Sequence, residues 1–408
     1  MKTKQRDIQL QSYTCDFLNA KKHIPIGTNR TQVALAKSQQ EKILNALHTD
    51  KRSWADWHWQ IKNRICSVET LSQILPLPED EVLTIKKVEA SFRWAVSPYY
   101  VSLIDPQNPQ DSIRKMALPG IGELCTDGDA DPMDEAGHNP TGAITRRYPD
   151  RLIINVTNAC GSYCRHCQRR RNIGTQDFIT GHDKIMQSIQ YIKEHNEIRD
   201  VLITGGDPLT LEDDVLLKII AQVRAIPHVE IIRIGTRMPV VVPQRITEEL
   251  VFNLKQYHPI YINMQFNHPQ EITSEASYAC KLLADNGFVL GNQMVLLKGV
   301  NDDKYIVQSL NQSLLKIRVR PYYIFHAKNV IGTTHFRTSI QTGIDIMKHL
   351  RGNTSGLAIP TYVLNAPCGG GKIPLNYQYC YEQPDGSIHL ETWEGEKISL
   401  AGDGSILQ

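Results

Sequence analysis

The 408-residue chain has no apolar run approaching the ~20 residues that a membrane-spanning helix needs. Its first residues, MKTKQRDIQLQSYTCDF, carry no apolar core of a signal peptide, so a cytoplasmic location is expected. Charge of one sign is also lacking. Lys plus Arg number 45 against 43 Asp plus Glu, a net charge of +2, and nothing overall points to nucleic acid or a membrane surface. Disulfides are not expected either. Nine cysteines in a long chain of this kind read as reduced thiols or metal ligands. What is present is ordinary for a globular protein, with 41% hydrophobic and 22% charged residues. The length suits one large domain and a smaller addition.

Three regions follow along the chain: residues 1-145, mainly helical; 146-360, strand and helix in alternation; and 361-408, a glycine-rich loop with a tail. In the first, WADWHWQIKNRI and LTIKKVEASFRWAVSPYYVSLI have apolar residues at helical spacing. Residues 125–143, CTDGDADPMDEAGHNPTGA, are acidic and rich in Gly and Pro, and read as an exposed loop or linker. From Leu152 short apolar runs read as buried strands: LIINVT, VLITG, IIRIGT, YINMQF, VLGNQMVL and RPYYIF. Amphipathic segments such as IMQSIQYIKEH, VLLKIIAQVRAI, ELVFNLKQY, YACKLLADNG and IQTGIDIMKHL stand between or after them. Alternation of this kind predicts parallel strands covered by helices, here an incomplete α/β barrel of six units. Reactive residues should then lie at the C-terminal ends of the strands. The tail holds β-like pieces such as SIHLETW.

Directly after the first of these strands comes NACGSYCRHCQRRRNIG. Cys160, Cys164 and Cys167 fall within eight positions, with no fourth cysteine beside them. Arg165, His166, Arg169, Arg170 and Arg171 surround them, and Arg147 and Arg151 lie just upstream. CxxxCxxC spaces three thiolates on one tight loop. Cluster ligation usually takes four cysteines, so three would hold a four-iron cluster and leave one iron open. A chance gathering of structural cysteines, or a zinc site with His166 as fourth ligand, are the alternatives. TGGDPL ends the second strand. The adjacent Gly205 and Gly206 let backbone approach a ligand, and Asp207 could accept from an ammonium, although GGD alone is often a plain turn. In NAPCGGGK three glycines precede Lys372, a flexible loop presenting an amine, or simply a surface turn. Such a lysine can form a Schiff base with pyridoxal phosphate (PLP). TRRYPDR offers Arg147 and Arg151, whose forks suit phosphate, or else a solvated basic turn.

Together these stretches resemble the lysine 2,3-aminomutase family of radical S-adenosylmethionine (SAM) enzymes, from about Ser53 to the glycine-rich loop. The long matching stretches are RSWADWHWQIKNRI, SPYYVSLIDP, RRYPDR, CGSYCRHCQRRR, DVLITGGDPL, PHVEIIRIGTRMPVVVPQRIT, QFNHPQEIT, LLADNGFVLGNQMVLLKGVND, KIRVRPYYIF, HFRT and APCGGGK. The resemblance implies a partial (β/α)6 TIM-like radical SAM barrel with an N-terminal helical region and a small C-terminal extension. It implies a [4Fe-4S] cluster on Cys160, Cys164 and Cys167, with SAM chelated at the open iron. Gly205, Gly206, Asp207 and Gln293 would serve the SAM and PLP region. Lys372 would carry PLP as a Schiff base, with Arg147, Tyr148 and Arg151 around the PLP. Arg169 would pair with the substrate α-carboxylate. The implied reaction is a 1,2-amino shift begun by a 5′-deoxyadenosyl radical that takes hydrogen from C3, with PLP supplying the π-bond a free amine lacks. A homodimer or homotetramer and an electron donor such as flavodoxin or ferredoxin are implied too. Residues 1–50 are hardly covered.

Two departures from the family pattern bear on function. A cysteine that often follows GVND is here Asp303, and the chain closes SLAGDGSILQ without a cysteine cluster, so no structural zinc of that type is expected. The lysine enzymes bind the distal ammonium with two aspartates; the matching positions are Lys328, in YYIFHAKN, and Asn365, in NAPCGGGK. A lysine facing a substrate ammonium would be repulsive, whereas a distal carboxylate would pair with it. The glutamate-specific members of the family are similar at these two positions. The expected reaction therefore moves the α-amino group of L-glutamate to C3, giving β-glutamate (3-aminoglutarate). The alternatives are a lysine or arginine 2,3-aminomutase with a relocated distal site and Lys328 in solvent, or a cluster-binding sensor without turnover.

Overall fold

The computed structural model describes residues 2–405. Nine strands form one sheet in sequence order: β1 (Ile144–Tyr148), β2 (Arg151–Thr157), β3 (Asp200–Gly205), β4 (Ile231–Gly235), β5 (Ile260–Met264), β6 (Val289–Leu296), β7 (Arg320–His326), β8 (Thr361–Asn365) and β9 (Lys372–Pro374). β2 through β8 are parallel, and β1 and β9 are antiparallel flanks. The two ends of the order do not pair, so the curled sheet is a half-barrel that stays open.

Alternation along the strands decides which side chains reach the core. In β2, Leu152, Ile154 and Val156 are buried; in β3, Val201 and Ile203; in β4, Ile232 and Ile234. These pack under the covering helices. Helix His182–Glu194 buries Ile185, Ile189 and Ile192, and helix Asp213–Arg224 buries Leu216, Ile219, Ile220 and Val223. Both patterns follow the i, i+3/4, i+7 stripe of an amphipathic helix. The intervening strand residues face the concave side. Leu202 stands opposite Arg233, and Gly235 opposite Asn263.

All six strands expected from apolar runs are present. The sequence pattern did not single out a further helix, Lys304–Lys316 between β6 and β7. Its buried face mixes Val307, Leu310 and Leu314 with Gln308, Ser309, Asn311 and Ser313, which dilutes the apolar period. Asp303 is the N-cap of that helix, its carboxylate accepting from Tyr305 N and Ile306 N. The seventh parallel strand, β8, was hidden in the stretch read as a glycine loop. It is five residues long, with only Tyr362 and Val363 buried. β9 then pairs back on it, Asn365 opposite Lys372, so Lys372 begins a strand rather than hanging on a flexible loop.

The N-terminal region is helical, with long helices at Lys2–Lys21 and Arg30–Ala46 and shorter ones to Ala117. Trp54 and Trp57 are buried, and the Arg245 guanidinium lies 4.3 Å over the Trp57 ring. One hydrophobic cluster runs from Ile43 and Leu44 through the barrel to Tyr362. A three-stranded antiparallel sheet, β10 (Cys380–Glu382), β11 (Ile388–Glu391) and β12 (Lys397–Leu400), makes up the tail. Among the described residues, no helix is long and apolar enough to cross a membrane.

Residues 125–143 differ from an exposed linker. They have almost no regular structure, but Met133 and Glu135 are buried. Backbone bonds tie the segment down: Asp129 N to Asn329 O (2.9 Å), Cys368 N to Pro132 O (3.1 Å) and Arg146 N to His138 O (2.9 Å). Composition alone cannot show that such a loop is pinned at both ends over a cavity.

Candidate active site

A pocket of about 320 Å³ opens at the C-terminal ends of the barrel strands, a volume suited to small molecules. It brings together every residue singled out for the site, from Arg147, Tyr148 and Arg151 through the three cysteines and Arg169 to Gly205, Gly206, Asp207, Gln293, Lys328, Asn365 and Lys372.

The cysteine loop leaves β2 at Asn158. That amide buckles the loop shut: Asn158 Nδ2 donates to Asn172 O, Ile173 O and Gln176 O, and Oδ1 accepts from Phe178 N. The N-terminal region holds the far side through Tyr163 N to Ala95 O and Arg165 N to Met116 O. Burial, and then the neighbouring Asp207 and Cys167, push the Cys160 thiol well above its usual range; burial and Cys164 raise Cys167 to about 11. Thiols so raised ionise only beside a positive charge, which is what a metal centre supplies. Among the described residues no three His, Cys, Asp or Glu side chains converge as a single-ion site requires. Cys160, Cys164 and Cys167 all line the same open pocket.

The GGD turn lies against this loop. A Cβ on Gly205, at φ +132°, would fall 2.4 Å from Thr157 O, and one on Gly206 would fall 2.3 Å from Ala159 O. Only glycine permits that approach. Asp207 is already held by the fold on both carboxylate oxygens. Its carboxylate accepts from Thr236 Oγ1 (2.7 Å), Arg237 N (2.6 Å) and Leu209 N (3.1 Å), and it is almost fully buried. It joins the ends of β3 and β4.

At the other end Lys372 N donates to the Tyr148 hydroxyl (3.0 Å), and Lys372 Nζ lies 5.3 Å from the Tyr148 ring centroid. The Arg151 guanidinium lies 3.9 Å from the same centroid. Burial, with Arg233, Arg151 and Arg147 nearby, brings the Lys372 ammonium down to about 8. A lysine so lowered is a usable amine nucleophile near neutral pH. The amine, the cation set and the tyrosine fit a phosphorylated aldehyde such as PLP.

Arg169 and Arg147 are not free in this structure. Glu135, from the pinned 125–143 segment, accepts from Arg169 Nε (2.9 Å) and Nη2 (3.0 Å) and from Arg147 Nη2 (2.9 Å). Burial raises its carboxyl, yet Arg169, Arg147 and Lys328 together hold it down at about 2. The Nε edge of Arg169 is thereby taken, leaving Nη1 for a ligand. Arg165 and Arg170 serve structure: both bind the fully buried Glu123. Lys328 is half-buried in the pocket. Burial draws it down to about 7, Glu135 opposing and Arg169, Arg147 and Lys372 reinforcing the effect. The Asn365 Nδ2 atom is buried with no hydrogen-bond partner.

Glu135, Arg233 and Gln168 line the pocket without having been singled out. Arg233 carried a signal, a lone cation within the apolar strand IIRIG. The other two carried none.

A family profile described as the radical SAM superfamily matches residues 154–309, and one described as lysine-2,3-aminomutase matches residues 347–401. The glutamate 2,3-aminomutase of Clostridioides difficile (strain 630) is 52% identical over 403 residues, 98% of this chain and 95% of that protein. The L-lysine 2,3-aminomutases of Acetoanaerobium sticklandii and Clostridium subterminale are each 48% identical, over 85% and 84% of this chain and 84% and 83% of theirs. The chain belongs to the lysine 2,3-aminomutase family. It is a radical SAM aminomutase, an isomerase acting on an amino acid, and its cofactors are a [4Fe-4S] cluster, SAM and PLP. The 98% coverage also takes in the N-terminal fifty residues, which the motif resemblance left nearly untouched.

Proposed function

We propose that this aminomutase acts on L-glutamate, moving its amino group from C2 to C3 to give β-glutamate. The observation that carries the reading is the pairing of Lys328 with the unpartnered, buried Asn365 Nδ2 in one pocket. An ammonium and an amide N–H are both donors, and together they suit a carboxylate. A substrate ammonium there would face a like charge at Lys328. The 52% identical relative, named a glutamate 2,3-aminomutase, supports the same choice.

When bound, the cluster and SAM supply a 5′-deoxyadenosyl radical, and PLP supplies a π-bond beside the migrating nitrogen. The chain's own residues bind and orient. Cys160, Cys164 and Cys167 hold the cluster, and the backbone of Gly205 and Gly206, with Gln293 nearby, borders SAM. Lys372 provides the amine that attaches PLP, with Arg147, Tyr148 and Arg151 around it. Arg169, steadied by Glu135, takes the α-carboxylate, and Lys328 with Asn365 takes the distal one. In this reading residues 1-145 close the pocket, 146-360 form the reaction barrel and 361-408 carry the attaching lysine. A cytoplasmic homodimer or homotetramer receiving electrons from a flavodoxin or ferredoxin completes it. The test is anaerobic incubation with SAM, reductant and each amino acid in turn, products assigned by NMR. L-Glutamate should give β-glutamate, with L-lysine a poor substrate; preference for lysine overturns the reading.

A further inference from the structure

We propose that Gln168 is a specificity-determining positioning residue, holding the Lys328 ammonium by a neutral acceptor so that its charge stays available to the substrate's distal carboxylate. The inference rests on the glutamate reading and names a residue that reading does not use. Lys328 Nζ donates to Gln168 Oε1, a contact between residues 160 positions apart. Both line the pocket. Among the described residues Lys328 makes no ion pair, although Glu135 is close enough to influence it.

The identity of the acceptor matters. A carboxylate at position 168 would hold the ammonium equally well but cancel its charge. An apolar side chain would preserve the charge but leave a four-carbon stem free to swing. An amide oxygen fixes the amine and leaves its unit charge intact. It uses one of three N–H donors, so two remain for a carboxylate. Gln168 also immediately precedes Arg169, whose Nε edge is clamped by Glu135. One short loop therefore steadies the partners of both substrate carboxylates.

The experiment compares Gln168→Glu and Gln168→Met with wild type and Lys328→Ala in the reconstituted holoenzyme. Iron content and cofactor absorbance are measured first, then kcat and KM for L-glutamate, and the inhibition constant of the unreactive dicarboxylate glutarate. Gln168→Glu should raise KM and the glutarate constant by about 10-fold or more with kcat nearly unchanged, as expected when binding common to ground and transition state is lost. Gln168→Met should raise both constants less. Wild-type constants in both variants overturn the proposal. So does loss of iron in both, which would make Gln168 a residue of cluster-loop folding. If wild type does not use glutamate, or Lys328→Ala binds glutarate normally, the substrate reading fails, and this inference falls with it.

Discussion

The cysteine end of the pocket and its lysine end are both crowded with basic residues, but the charges are balanced differently. At the cysteine end the buried arginines pair with carboxylates, often two to one. Arg165 and Arg170 share Glu123, which has no exposed side-chain surface; Arg64 (2.5 Å) and Arg93 (2.7 Å) meet at Asp177; Arg237 meets Glu271 at 2.7 Å. At the lysine end Arg147 and Arg169 share Glu135, while Lys328 and Lys372 make no ion pair among the described residues. Matched charges fix a scaffold around a cluster. Unmatched ones, held in place by burial and by neutral partners, make a receptor for anions. By that contrast Arg165 and Arg170 belong to the scaffold, and Lys328 and Lys372 are the cations left without a carboxylate among the described residues.

The comparison can be broken most sharply at its two anchors. Changing any one of Cys160, Cys164 or Cys167 to Ala should remove the four-iron signal and all SAM cleavage, read by iron analysis and electron paramagnetic resonance; full iron loading in a single variant would defeat the assignment. Lys372→Ala should abolish turnover and the attached-cofactor absorbance, and borohydride trapping of wild type should place the pyridoxyl label on Lys372 in a peptide map. Label on another lysine would move the lysine end elsewhere.

The next effect is at the distal site. Removing one partner of a buried charge pair costs about 3–5 kcal/mol, so Lys328→Ala should lower glutamate turnover at least about 100-fold. Lys328→Asp combined with Asn365→Asp should shift preference toward a cationic side chain, checked by competition between glutamate and lysine.

A smaller effect sharpens the scaffold-versus-receptor contrast. Glu123→Gln should destabilise the fold by about 3–5 kcal/mol whatever anion is added, because it strands two buried guanidinium groups. Glu135→Gln should cost less, and PLP or glutamate should recover part of it by mass action, measured as denaturant midpoints with and without ligand. Equal losses, equally unrescued, would erase the distinction.

The smallest effect is in pH. Lys328, lowered to about 7 and faced by Glu135, Arg169, Arg147 and Lys372, must be protonated to pair with a carboxylate. Glutamate kcat/KM should therefore fall as pH rises through about 7. In Lys328→Arg, whose guanidinium stays charged, that limb should flatten. An unchanged limb would assign it to another group, Lys372 at about 8 being the nearest.

Legibility divided along the same line. The cysteine loop was readable because its spacing is local: three thiols within eight residues after a strand need only the strand to be placed. The distal site was readable only through the family's motif, since nothing local says that Lys328 and Asn365 share a cavity. Glu135 escaped because 34 positions separate it from Arg169, and its acidic, Pro- and Gly-rich surroundings suggest solvent. For Asp207, only the fold reveals that Thr236 and the Arg237 amide hold its carboxylate between β3 and β4.

By itself, then, the alternation of apolar runs and amphipathic segments determined a parallel half-barrel. Period-two and period-3.6 patterns leave a chain few other ways to bury its apolar faces. Local spacing likewise determined three thiols on the loop after β2. Only the tertiary structure decided which cations are neutralised and which stay open to a ligand. Coulomb interaction depends on distance and burial, and residues far apart in sequence, such as Glu135 with Arg169 or Gln168 with Lys328, come within reach only once the half-barrel has folded.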